Sequence, residues 1–284
     1  MSVNATTPDI ILATRIHLGK QSSPPDQSRL VRTLSSFLLT ASSINASKAL
    51  IAIDPEEKIA GYDLVSAIQK ALEEARKASV RHESQHCTII KVSPWGNFVP
   101  ALNALTSWAC QNQENYGKSV IMFVSAETSV NKDTITDLSH HMSENTLVVG
   151  AALPGHDYKG NGGENGIEVD LTGRTCPWNT SAMWNLNKLA LFGFPLVADG
   201  LHQLEDGKHV AAGIEEFATI LTYQSNSADN NKAKLVKVRG VEWEQHFEDE
   251  ERRKWHEAKM KSKLTRAEVH RNLLGGKKGK VIHY

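Results

Sequence analysis

Residues 120–124, VIMFV, read as a buried strand, and the run stops abruptly at Ser125-Ala126-Glu127-Thr128. In open α/β sheets ligands sit just past the carboxyl ends of strands, so this tetrapeptide lies where a site belongs. Glu127 is a hard oxygen donor suited to magnesium or manganese, whereas Ser125 offers only a neutral hydroxyl. Two other apolar runs end in polar side chains, Thr14-Arg15 after residues 9–14 and Asp54 after residues 49–53. Asp54 precedes Pro55 and is also suited to open a turn. The adjacent carboxylates Glu215 and Glu216 fall in a helix-forming stretch. A carboxylate there is a general base where it reaches a hydroxyl, and otherwise a favourable charge in a first helical turn.

These positions need a scaffold. Apolar runs at 9–14, 49–53, 87–92 and 119–124 alternate with amphipathic stretches at 29–42, 62–78 and 99–111. Leu64, Ile68 and Leu72 recur every four residues, on one face of a helix. The alternation implies an α/β fold, with a mostly parallel central sheet and helices on both faces. The second half gives a short helix at 134–142, a strand at 146–152 and a strand at 167–171. Loops carrying PGHDYKGNGGENG and TGRTCPWNTSAMW follow those two strands. A helix over 185–192 stops at Gly193, another from 209 or 210 to 221 holds the glutamate pair, and a strand covers 234–238. From Glu242 onward the chain reads as helical. Its stripe of Trp243, Phe247 and Trp255 packs on the domain or on a second copy, which offers a homodimer contact. Thr265-Arg266-Ala267-Glu268 matches a capping box and predicts a second short helix through Leu274.

Lysine plus arginine and aspartate plus glutamate balance at 32 each, which argues against nucleic acid or a membrane surface as partner. Cys87, Cys110 and Cys176 are too scattered for a disulfide framework or a zinc site. No apolar run approaches the roughly 20 residues of a membrane span. The polar N-terminus lacks a signal-peptide pattern, so the expected location is cytoplasmic.

Taken in order, Thr14-Arg15, Asp54, the GNFVPALNALTSWA segment, Ser125-Ala126-Glu127, WNLNKLALFGFPLVADG and AAGIEEFATILTY resemble a family. The pattern is similar to that of the nucleotide-diphospho-sugar transferases of the GT-A fold, and within them the family-2-like glycosyltransferases. The resemblance covers roughly residues 9–223 and implies a nucleotide-sugar-binding domain at 1–233, with 234–284 as a C-terminal strand and helical extension. It implies transfer of a sugar from a nucleoside-diphosphate donor to an unidentified acceptor. Asp54 would read the base, and Thr14, Arg15, Asn103 and Ser125 would line the nucleotide. Glu127 would hold magnesium or manganese, and Glu215 or Glu216 would serve as base. Ser125 stands where the family has its first metal-binding aspartate, which implies weak metal dependence. The alternative is a catalytically inactive member of the fold that binds a nucleotide, a glycan or a protein partner.

Overall fold

The computed structural model describes residues 8–17, 24–56, 58–59, 62–77, 87–113, 118–126, 128–160, 165–200, 212–243 and 250–284. Strand β1 (Asp9–Ile16) buries Ile10, Leu12 and Ile16 on one side and Ile11 and Ala13 on the other, as a strand covered on both faces must. Helix α1 (Gln27–Ser43) begins where the Asp26 side chain accepts from the Ser28 N–H, and it returns to β2 (Lys48–Ile53). A short hairpin of β3 (Lys58–Ile59) and β4 (Tyr62–Asp63) leads into α2 (Leu64–Lys77) and β5 (Cys87–Lys91). Helix α3 (Val99–Asn112) then precedes β6 (Ser119–Val124).

Beyond β6 come β7 (Thr128–Ser129), α4 (Lys132–His140), β8 (Thr146–Ala151), β9 (Ile167–Asp170) and β10 (Ser181–Asn185). Next are α5 (Leu186–Leu189), a 3-10 turn at Leu196–Asp199, α6 (Glu215–Asn226) and β11 (Lys232–Val236). The chain closes with β12 (Glu242–Trp243), α7 (Glu250–Leu273) and β13 (Lys280–His283).

Among the described residues one large sheet runs in the order β5-β2-β1-β6-β10-β8-β11-β13-β9. Strand β10 is antiparallel to β6 and β8, and the edge strand β9 is antiparallel to β13; the remaining pairs are parallel. Helices α1, α2 and α4 cover one face through residues such as Leu34, Ile68 and Leu138. Helices α3, α5, α6 and α7 cover the other through Leu105, Leu189, Phe217 and Ala267. The architecture is a mostly parallel, Rossmann-like α/β sheet with helices on both faces.

The second half departs from the sequence reading in specific places. Residues 181–185 form a buried strand inside what reads as a loop, because SAMWN is short, apolar on both faces and flanked by turn-forming residues. Helix α5 is a single turn. Helix α7 runs unbroken through Thr265 and Glu268, so the capping-box pattern falls in a helix interior where backbone bonds already satisfy the N–H groups. Strands β11 and β13 both join the main sheet, and Ala267 and Val281 share its core. Trp243 meets Trp178 edge to face at 6.3 Å; Phe247 and the Trp255 side chain lie outside the described residues. No described helix is long and apolar enough to cross a membrane.

Candidate functional site

The carboxyl ends of β2, β1 and β6 lie side by side and carry Asp54, Thr14 with Arg15, and Ser125. Asp54 accepts from the Glu56 N–H at 2.8 Å, a local turn that leaves its outer oxygen available. Arg15 donates to the Asn97 carbonyl at 3.1 Å and stacks its guanidinium 4.2 Å from the Phe98 ring, steadying the segment that opens α3. Thr14 is buried, and its Oγ1 has no hydrogen-bond partner among the described residues. Ser125 sits in a tight turn: its Oγ shares a 2.8 Å hydrogen bond with Thr128 Oγ1, and its N–H donates to the Thr180 carbonyl at 3.1 Å. Glu127 lies outside the described residues.

The antiparallel sense of β10 brings its first residues to the same edge, with Ser181 opposite Val124. In the loop before it, the Asn179 N–H donates to Glu216 Oε1 at 2.6 Å. Glu216 and Glu215 open α6, and each is only 5% exposed. Burial, then the Glu215 charge, pushes the Glu216 carboxyl up to about 7, against the opposing pull of Lys263 and the Asn179 N–H. Arg266 of α7 feels the Glu215 charge and donates to the Ala212 carbonyl at 2.5 Å and to Ser262 Oγ at 2.6 Å. Burial, with Glu216 adding to it, pushes the Cys176 thiol well up, which keeps it protonated and inert as a nucleophile.

Trp178, the residue before Asn179, is buried against these groups. Its Nε1 donates to the Gly173 carbonyl at 3.0 Å, and His156 stacks on its indole at 3.6 Å. Burial holds the His156 imidazole down to about 3, so the ring is neutral. Lys263 of α7 places its Nζ 4.2 Å from the centre of the same indole.

The sequence candidate Asn103 and the carboxylate of Asp199 are both committed to holding local backbone. Asn103 Nδ2 donates to the Phe194 carbonyl at 2.9 Å, and its Oδ1 accepts from the Phe194 N–H at 2.8 Å, so it braces the Gly193–Phe194 turn. Asp199, fully buried, accepts from the N–H groups of Asn97, Phe98 and Val99 at 2.9, 2.5 and 2.8 Å. Those are the orphan donors at the start of α3, so this carboxylate is held by a helix terminus. Among the described residues no group of three or more His, Cys, Asp or Glu side chains could hold a metal ion. With Ser125 Oγ also bonded to Thr128, the described residues do not fit a divalent cation.

Asn179, Lys263 and Arg266 escape a reading of the sequence. Asn179 lies in a loop identified only by its turn residues. Lys263 and Arg266 belong to a helix so rich in charge that neither stands out. Their one available signal is position in space.

No family model and no curated protein matches the chain. Among solved structures, a mycobacterial protein superposes with a TM-score of 0.46 at 10% identity, covering 95% of this chain and 75% of that one. A 4-diphosphocytidyl-2C-methyl-D-erythritol synthase from Anaerococcus prevotii gives 0.43 at 8% identity, covering 90% of this chain and 100% of that one. A second 4-diphosphocytidyl-2C-methyl-D-erythritol synthase gives 0.34 at 9% identity, covering 65% and 78%. Superpositions this loose leave the chemistry to the residues of this chain.

Proposed function

We propose that the chain binds a nucleoside-diphosphate sugar at the carboxyl edge of the sheet and transfers the sugar to an acceptor hydroxyl, with Glu216 as the base. One observation carries this reading: a buried carboxylate, fixed by the Asn179 N–H and pushed up to about 7, stands beside the end of β6. A base working near neutral pH needs a value of this kind.

In the transfer, the acceptor oxygen bonds to the anomeric carbon of the donor while the bond from that carbon to the diphosphate oxygen breaks. The nucleoside diphosphate leaves with the electron pair, and the hydroxyl proton passes to the Glu216 carboxylate. Attack opposite the leaving group inverts the configuration. Thr14, Arg15, Asp54 and Ser125 line the nucleotide, while Asn103 is spent on bracing the Gly193–Phe194 turn. No step is assigned to a divalent cation.

Release of UDP or GDP from a panel of their sugar conjugates, with mixed acceptors, tests this. Glu216→Gln should lower release by about 100-fold or more while leaving nucleoside-diphosphate affinity unchanged. Release at the wild-type rate would overturn the assignment. A second reading, binding without transfer, draws on the Ser125–Thr128 bond that occupies a site hydroxyl. Nucleotide affinity with no release from any donor would favour it.

A further inference from the structure

Lys263 is 6% exposed, yet among the described residues its Nζ makes no ion pair and no hydrogen bond, and it rests over the Trp178 indole. The indole face gives the ammonium a cation–π contact but no charge-assisted hydrogen bond. The neighbouring Asn179 Nδ2 is buried with no hydrogen-bond partner among the described residues. Both donors lie by one short stretch, residues 178–181, with Asn179 in it and the lysine over Trp178. That stretch meets β6 at its carboxyl end through Ser181 opposite Val124 and through the Ser125 N–H bond to Thr180. Buried donors are normally satisfied, so an unsatisfied amide beside an ammonium with no acceptor describes a place for an acceptor-rich ligand.

We propose that Lys263 is the diphosphate-binding cation of this site, taking the role for which the described residues offer no metal. The assignment rests on the nucleotide-sugar reading above and names the side chain that makes it work. As the bond to the anomeric carbon breaks, negative charge grows on the diphosphate. A fixed ammonium beside it stabilises that charge without rearrangement. Asn179 Nδ2 adds a neutral donor beside it. The charges of the pocket allow an anion: Arg266 faces Glu215, and the raised Glu216 carboxyl holds its proton in part of the population near neutral pH.

The rival role for Lys263 is that of a counter-charge to Glu216 alone, and the two separate in binding. Calorimetric titrations in EDTA would compare uridine, UDP, guanosine, GDP and inorganic pyrophosphate on the wild type, Lys263→Met and Lys263→Arg. The wild type should bind one diphosphate more tightly than its nucleoside by at least about tenfold, the worth of one charge-assisted hydrogen bond. Lys263→Met should erase that preference and the pyrophosphate affinity while leaving nucleoside affinity intact, and Lys263→Arg should restore part of both. A preference for diphosphate that survives in Lys263→Met overturns the assignment and leaves the nucleotide reading standing. Pyrophosphate binding that Lys263→Met abolishes, with no nucleoside affinity in the wild type, keeps the anion site and removes the nucleotide. No binding of any of the five by the wild type overturns both.

Discussion

The Asn179 N–H donates to Glu216 Oε1 at 2.6 Å, and the carbonyl of the next residue, Thr180, accepts from the Ser125 N–H at 3.1 Å. Two consecutive residues thus tie the start of α6 to the end of β6. The bond also orients Glu216: with one oxygen held by the backbone, the other faces a fixed direction.

The rate of sugar transfer should depend on pH through Glu216. Facing it are Glu215 on its own helix, Lys263 on α7, and Cys176 and the Asn179 N–H from the loop before β10, with Arg266 beyond Glu215. A base is active when ionised, so the rate should climb through the acid range and level off above about 7. Removing Lys263 takes away a charge that favours ionisation, so Lys263→Met should move the rise to higher pH. A wild-type rate that is level from pH 5 to pH 8 would contradict this use of Glu216.

Stability carries the opposite signature. The folded protein raises the Glu216 value from 4.5 to about 7, so the fold favours the protonated carboxyl. Its contribution is fully present below 4.5 and is lost as pH rises through about 7. Gln keeps the acceptor for the Asn179 N–H and cannot ionise. Glu216→Gln should therefore melt close to wild type at pH 4.5 and above it at pH 8, by an amount on the order of 3 kcal/mol. Denaturant titrations at the two pH values measure the difference, and equal effects at both would count against the raised value.

The carboxylate of Asp199 holds three N–H groups at the start of α3, and Gly96 lies against it with φ +65°. A Cβ on Gly96 would come 2.3 Å from Asp199 Oδ2. Asp199→Ala should lower stability by about 1–3 kcal/mol, and Gly96→Ala should also destabilise through its positive φ and the close approach. Because Arg15 holds the same segment through the Asn97 carbonyl, both changes should also weaken nucleotide binding. A full-strength site in a destabilised Asp199→Ala would separate this segment from the ligand.

Asn103 offers a cleaner separation. Asn103→Ala leaves both Phe194 backbone groups without their partner and should cost about 2 kcal/mol of stability, with nucleotide affinity unchanged. Affinity that falls while stability holds would instead place Asn103 in contact with the nucleotide.

How much was legible follows from what the residues had to do locally. Strands β1, β2 and β6 are buried on both faces, so their sequences are near-continuous apolar runs with sharp ends. The candidate residues at those ends, Thr14, Arg15, Asp54 and Ser125, stand out because an open α/β sheet puts its ligands there. Helix α2 shows itself by Leu64, Ile68 and Leu72, all buried on one side. Strand β10 hides because five residues among turn formers carry no period. Lys263 and Asn179 hide for a different reason: they reach the site through the packing of α7 and the reversal of β10, and neither is a local property of the chain.

The most direct test is a calorimetric titration of UDP and GDP into the wild-type protein, first in EDTA and then with manganese. One of the two should bind, with similar affinity in both conditions, because the described site offers a lysine rather than a metal to the diphosphate. Absence of binding by either nucleotide in both conditions would contradict the nucleotide-sugar function itself, and binding that requires manganese would contradict the place given to Lys263.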